Sequence, residues 1–342
     1  DGKDSAHALS GQFGLDRVWQ IAGSADGPLF SPWDDREPTW WLGAGGWEVA
    51  DFAPPCELVP EDPRFKNEKV KPTWAETRVL VGPAGAIYTV SATNGNGTST
   101  TARRISGKSE VLGRESSHLY VSYSFITPDG ALWNAGFGDL RRFADGRWRS
   151  VAALPGAGPL DEQGFRTGDT NFSIGYGLRA IGDAGPPWLL LDRDDKQILG
   201  LSYGPDFKEP KLDAVKVVEN GATLKVHDAI PWSKGELLLA TEKGLRRLDI
   251  ASGKVEPSPL PAPDRPITSL ARDGLGRVWL AGEGLWLADP DGTRLHDCGP
   301  LPMMGRTTVV TIAADPGHRD GIIVSLGERG VAFVRISAGA AR

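Results

Sequence analysis

One phrase returns along this chain, and its spacing limits what the chain can fold into. "GRVWLAGEGLWLADPDG" (276–292) has counterparts in "GALWNAGFGDLRRFADG" from Gly130, "GELLLATEKGLRRLDIASG" from Gly235 and "GIIVSLGERGVAFVRIS" from Gly321. Each begins with a glycine and a short apolar run, passes a glycine-containing turn, and continues into a second apolar run. Fainter copies are "GAIYTVSATNGNG" from Gly85, "GPPWLLLDRDDKQILGLS" from Gly185 and "PTWWLGAGGWEVADF" from Pro38. The bulky residues of the first runs serve as anchors: Trp41, Tyr88, Trp133, Trp188, Leu238, Trp279 and Val324. Their steps are 47, 45, 55, 50, 41 and 45 residues.

A repeat of roughly 40–50 residues holding several short strands is the signature of a β-propeller, with one four-stranded blade per repeat. Apolar runs bounded by Gly, Asp, Asn and Pro are strand–turn–strand signals. "DPDG" (289–292) and "ADG" (144–146) put acid and glycine where tight turns use them. No segment keeps a 3.6-residue apolar period over a helix length, so almost no helix is expected. The sequence therefore predicts an all-β fold. The expected form is a seven-bladed β-propeller of four-stranded antiparallel blades, one domain over 1–342, closed by an N-terminal strand in the last blade. "DRVWQIA" (16–22) is the expected closing strand, because it precedes the first blade and has no partner of its own. The Pro- and charge-rich stretch 50–74 reads as a long loop between the first two blades.

Composition narrows the partners. The chain has 342 residues and a net charge of −6, which argues against a nucleic-acid partner, since phosphate binding needs a concentrated positive surface. No apolar run approaches the ~18–20 residues that span a bilayer; the longest are "WLLL" (188–191) and "GIIVSLG" (321–327). The start at Asp1 fits a processed exported protein or a shortened chain, and a periplasmic or extracellular location is the expectation. The two cysteines, Cys56 and Cys298, are either a disulfide or two separate thiols.

"DGALWNAGFGDLRRF" (129–143) and "DGLGRVWLAGEGLWLAD" (273–289) resemble the two-component-regulator propeller repeat, with its Asp-x-x-Gly-x-Leu-Trp-x-x-Thr-x-x-Gly-Leu core. Asp273, Gly276, Trp279, Gly284 and Leu285 fit that core; Leu237–Thr241 with Gly244 and Leu245 fit it with Leu238 in place of the Trp. Such propellers form sensor domains of bacterial regulators, and streptogramin-lyase-like propellers are relatives. The resemblance implies an exported bacterial seven-bladed propeller and no single activity. WD40, kelch and sialidase repeats fit less well: Trp33-Asp34 is the one Trp-Asp pair and Gly45-Gly46 the one kelch-like diglycine.

In a propeller the loops leading into the inner strands form a concave face, which is the default ligand site. Placing each inner strand about ten residues before its anchor puts Glu76, Arg78, His118, Tyr120, Arg166, Asp169, Asn171, His227, Asp228, Arg265 and Arg306 at that face. Ligand-binding candidates are Glu76, Arg78, Tyr120, Arg166, Asp169, Asn171, Arg265 and Arg306; their mixed charges suit a polar ligand. His227, His118 and Asp228 are the catalytic candidates, since a His can act as a base near neutral pH. Neighbours on a strand point to opposite faces, however, so His227 and Asp228 are not a natural pair.

Other motif matches read as turns. "GLSYG" (200–204) has the nucleophile-elbow spacing, but two prolines follow in place of a helix. "SGKSE" (106–110) has the Lys-Ser of a P-loop with Ala102 where its first glycine belongs. "LDRDDK" (191–196) and "DPDG" (289–292) suit Ca²⁺ in their carboxylates but lack the remaining spacing. No cofactor and no metal site is predicted, with Ca²⁺ as the open alternative. The expected function is an exported sensor or scaffold module that recognises a polar small molecule, a glycan or a protein partner on the channel face. The alternatives are a lyase or hydrolase acting on a glycan or lactone, and a structural subunit of a cell-surface assembly.

Overall fold

The computed structural model describes residues 7–9, 18–24, 27–32, 40–43, 46–49, 75–82, 85–93, 98–105, 108–116, 124–127, 129–136, 138–153, 157–159, 179–181, 188–191, 197–202, 211–263, 265–289, 291–298, 309, 311–326 and 331–335. Among these residues the regular structure is β-strand, with no α-helix. The chain divides into two compact units, Asp1–Asp34 with Trp40–Glu48 and Val215–Arg342, and Asp35–Thr39 with Val49–Ala214.

The first unit holds four-stranded sheets whose strands follow one another in space as in sequence. One is Val18–Ser24, Gly27–Pro32, Trp40–Gly43 and Gly46–Val49. The next is Val226–Ser233, Glu236–Thr241, Gly244–Asp249 and Val255–Pro257. Then come Ile267–Arg272, Val278–Gly282, Leu285–Ala288 and Leu295–Asp297. The last joins Thr311–Ala314, Gly321–Ser325 and Val331–Arg335 to His7–Leu9 at its edge. A hairpin of Val218–Glu219 and Ala222–Thr223 accompanies them. Among the described residues the second unit has three such sheets: Ala75–Val81 through Lys108–Ser116, Ser124–Ile126 through Arg147–Ala153, and Arg179–Ile181 through Lys211–Lys216. The ladders are antiparallel.

Two expectations about the N-terminal region change. "DRVWQIA" does not complete the last sheet: Val18–Ser24 is the first strand of its own sheet and pairs with Gly27–Pro32. His7–Leu9 takes the edge position instead, with His7 opposite Phe333 and Leu9 opposite Val331. The reason is local. Ser24 Oγ donates to Gly27 O at 2.6 Å, and Gly27 sits at φ +133°, with Leu42 O only 2.0 Å from where a Cβ would be. A hairpin partner three residues away costs less closure entropy than one at the far end of the chain. For the same reason Trp41 falls on the third strand of its sheet, whereas the other anchors fall on second strands; Leu29 and Phe30, almost fully buried, hold the second-strand position there. The 50–74 stretch lies outside the described residues.

The second strands are apolar because both of their faces are covered. Val278–Gly282 and Gly321–Ser325 are buried at every position. Alternate residues serve opposite neighbours. Trp279 and Ala281 pack with Ile312, Ile322 and Val324 of one adjoining sheet. Val278 and Leu280 pack with Leu238, Ala240 and Leu245 of the other. Ile21 and Phe30 likewise meet Ile323 and Val331. In the second unit, Tyr88 and Val90 meet Leu132 and Trp148. The approach there is close: a Cβ on Gly113 would lie 2.1 Å from Gly146 O, so this position accepts no side chain. Fourth strands lose the covering and become charged, as in Lys108–Ser116 and Arg147–Ala153, which blunts the sheet edges.

The repeated Asp-Gly turn has a structural task. Asp273 is 5% exposed, and its Oδ1 accepts from the backbone N–H groups of Leu275 (2.9 Å) and Arg277 (3.0 Å). Its Oδ2 accepts from Arg277 Nε (2.7 Å) and from the indole N–H of fully buried Trp279 (3.0 Å). In the 124–153 sheet the Trp133 indole donates instead to Thr127 Oγ1 at 3.2 Å, and Thr127 bonds Asp129. Each tryptophan thus ties the apolar stack to the turn above it. Trp279→Ala should cost about 3–5 kcal/mol, the range for deleting a buried aromatic side chain, read as a lowered midpoint in denaturant unfolding; an unchanged midpoint would contradict this packing.

Candidate functional site

The first strands of each unit lie side by side. In the first unit Val226–Ser233 adjoins Ile267–Arg272, which adjoins Thr311–Ala314, which adjoins Val18–Ser24. In the second, Ser124–Ile126 adjoins both Ala75–Val81 and Arg179–Ile181. The starts of these strands are where the sequence places its candidates.

Three first strands of the first unit share a feature that periodicity conceals. The register slips between Val226 and Asp228, between Ile267 and Ser269, and between Val18 and Gln20. His227, Thr268 and Trp19 are the extra residues of these bulges, which re-aim side chains and raise the local twist. His227 is half-buried. Thr268 is half-buried too, with its Oγ1 3.0 Å from Val309 O and 3.2 Å from Ala281 O.

The residues after two of these bulges, Asp228 and Ser269, are structural. Asp228 is 3% exposed, and its Oδ2 accepts from Leu270 N–H at 2.7 Å and from Ser269 Oγ at 3.0 Å. Its Oδ1 accepts from Ala229 N–H. Ser269 Oγ in turn accepts from Ile312 N–H at 3.2 Å. Asp228, Ser269 and Ile312 therefore form a ladder across three neighbouring sheets, in steps of 41 and 43 residues. Sequence reasoning singled out Asp228 and missed Ser269 and the bulges. The signal was present: "HD" at 227–228 and "TS" at 268–269 hold equivalent places in the repeat.

The other candidates are placed unevenly. Arg78 is half-buried on Ala75–Val81, opposite Val90, and Glu76 lies opposite Ala92 on the same strand. Arg265 is exposed, with its guanidinium 5.8 Å from the Trp286 ring centroid, a cation–π contact. His118, Tyr120, Arg166, Asp169, Asn171 and Arg306 lie outside the described residues, as does Cys56; Cys298 is half-buried. So the structure joins Asp228 to Ser269, with His227 and Thr268 next to them on the same two strands, and describes Arg78 on its strand and Arg265 just before the strand Ile267–Arg272.

The acids read as possible Ca²⁺ ligands have turn roles where they are described. Asp291 Oδ1 accepts from Thr293 N–H (3.0 Å) and Thr293 Oγ1 (2.8 Å), and these bonds hold its carboxyl below the usual range. Asp289 Oδ1 lies 3.2 Å from His296 Nε2. Among the described residues no group of three or more His, Cys, Asp or Glu side chains is arranged to hold a metal ion. Ser202 of "GLSYG" ends the strand Gln197–Ser202, and Lys108 of "SGKSE" begins the strand Lys108–Ser116. No helix of the described residues is long and apolar enough to cross a membrane.

No protein-family model and no curated protein matches this chain. Solved structures do. The extracellular domain of BT4673 from B. thetaiotaomicron, described as a hybrid two-component system, is similar at 13% identity and a TM-score of 0.59 over 98% of this chain. A second structure of that domain gives 14%, 0.58 and 97%. The chain spans 40% of the length of either. The WD40 β-propeller domain of Doa1 is similar at 10% identity and a TM-score of 0.52, over 98% of this chain and 97% of that one. These likenesses, with the four-stranded antiparallel sheets, show the fold to be an all-β propeller.

Proposed function

We propose that the protein is an exported binding module, a sensor or scaffold domain that holds a polar small molecule, a glycan or a protein partner at the face where the first strands begin. We further propose one seven-bladed ring over 1–342; the mean step of about 47 residues between the sequence anchors and the likeness to propellers over 97–98% of the chain support this. The likeness to an extracellular domain of a two-component system supports an exported location.

One observation carries the binding reading. At the bulge the backbone is repeated and the side chain is not: the same extra residue is His227 in one sheet and Thr268 in the next. A scaffold that fixes backbone geometry while varying the side chain is what a recognition face requires. The residue beside it is spent on the fold, since both Asp228 oxygens accept hydrogen bonds within the ladder. That weakens the reading of His227 and Asp228 as a catalytic base and its orienter, and favours binding over a lyase or hydrolase.

The test is a thermal-shift series with mono- and oligosaccharides and small dicarboxylates. At least one probe should raise Tm in a concentration-dependent way. His227→Ala should abolish that rise, measured against the variant's own ligand-free Tm. No shift with any probe, or a shift indifferent to His227→Ala, would sink the assignment, and cleavage of a probe would move it to the enzyme class. Asp228→Ala should do the opposite. It leaves buried donors on Leu270 and Ser269 unpaired, at about 1–3 kcal/mol each, so the ligand-free Tm should fall by several degrees.

A further inference from the structure

The first strands also end in a surface, away from the bulges at their starts, that the binding reading above does not use. In the 267–297 sheet, Arg272 closes the first strand and Leu275 caps the turn that follows; Arg319 caps the corresponding turn of the next sheet. Leu275 is 49% exposed, among the few large apolar side chains so open in the described residues. The turn does not require its side chain, because the backbone N–H of Leu275 makes the bond to Asp273. Arg319 packs against that turn: a Cβ on Gly274 would lie 2.9 Å from Arg319 Cα.

The cations there are held in place yet open. Arg319 donates from Nε (3.2 Å) and Nη2 (2.9 Å) to Gly274 O. Arg272 lies 5.7 Å from the half-buried Trp232 ring and donates from Nη2 to Pro231 O at 3.0 Å. Both guanidinium groups are exposed, and each has five donors, so these contacts fix the side chains without exhausting them. Lys234 is exposed on the preceding sheet's turn. The acids of the same turns are mostly withdrawn. Asp273 is buried among Leu275, Arg277 and Trp279, and Asp315, 7% exposed, accepts from Gly317 N–H at 2.8 Å; Asp320 remains half-buried at the rim. A chain of net charge −6 thus presents arginines around an apolar knob. Pre-ordered Arg and Trp beside an aliphatic contact is the make-up of an interface hot spot.

We propose that this turn face docks an acidic protein segment. One aromatic or aliphatic side chain of the segment packs on Leu275 and Trp232, and its carboxylates pair with Arg272 and Arg319. Charge complementarity selects this occupant: a basic or neutral segment would leave both guanidinium groups unmatched.

The experiment titrates the full chain against a fluorescent acidic peptide carrying one phenylalanine, read by anisotropy at low and high salt. Two further peptides replace the phenylalanine by serine or the carboxylates by amides. Saturable binding is expected, weakened by salt and by either peptide change. Leu275→Asp should weaken it about tenfold or more, as loss of a hot-spot side chain does, and Arg319→Gln should weaken it too. Leu275→Asp keeps the native melting temperature, Arg319→Gln lowers it only slightly through loss of its exposed bonds to Gly274 O, and His227→Ala binds as the native protein does, which separates this face from the one proposed above. Absence of saturable binding overturns the proposal. So does binding that ignores Leu275→Asp and Arg319→Gln. Self-association of the chain that Leu275→Asp abolishes would show that a second copy is the occupant and overturns it as well.

Discussion

The rest of this structure depends on the burial of both faces of the middle strands. A four-stranded sheet such as 267–297 has apolar side chains on each side, Trp279 and Ala281 on one and Val278 and Leu280 on the other. Such a sheet cannot be stable alone in water, because one covered face still leaves the other exposed. Only a neighbour on each side satisfies it. The sequence consequence is the uninterrupted apolar run, and the architectural consequence is the repeat. The fourth strands, where covering ends, return to alternating and charged sequence, as "RWRSVAA" does over Arg147–Ala153.

Stacked sheets of this kind slide easily unless something fixes their offset, since apolar contact is non-directional. Directional bonds supply the offset. The Asp228–Ser269–Ile312 ladder joins three first strands through side-chain oxygens and backbone N–H groups. At the turns, Arg277 Nη2 donates to Asp320 O at 2.9 Å and Arg319 reaches Gly274 O, so adjoining turns are tied as well. A buried acceptor of several N–H groups is costly to place and costly to remove, which makes it a register device and not only a source of stability.

How much of this could be read from the sequence follows from which signals are periodic. The apolar runs and Gly-Asp turns recur, so the all-β propeller and the four-stranded sheets were legible. The N-terminal strands were not, because "DRVWQIA" has the same apolar character as a closing strand, and only the Ser24–Gly27 hairpin decides its partner. His7–Leu9, three residues with no strong β signature, could not be preferred on propensity. At the candidate site, His227 and Asp228 were legible as polar neighbours that do not pair, but not their separate places in a bulge and a ladder. Strand alternation separates them, and the bulge then re-aims them, and a bulge leaves no composition signal in a single sequence. Ser269 was overlooked for a simpler reason: a serine in a strand gains its meaning only when "TS" at 268–269 is aligned with "HD" 41 residues before it.

The two ends of the first strands illustrate how one repeated frame carries separate duties. At the start, the bulge residue differs from sheet to sheet while its follower is fixed by the ladder, so variation is confined to one position with a constant backbone. At the far end, Asp273 and Asp315 are buried and accept from backbone N–H groups, which withdraws their charge from the surface and leaves Arg272 and Arg319 to set its sign there. In both places the fold uses carboxylates to satisfy backbone N–H groups, and that use decides which neighbouring side chains remain open to a partner. Leu275 is informative because its turn is held by its backbone N–H and not by its side chain.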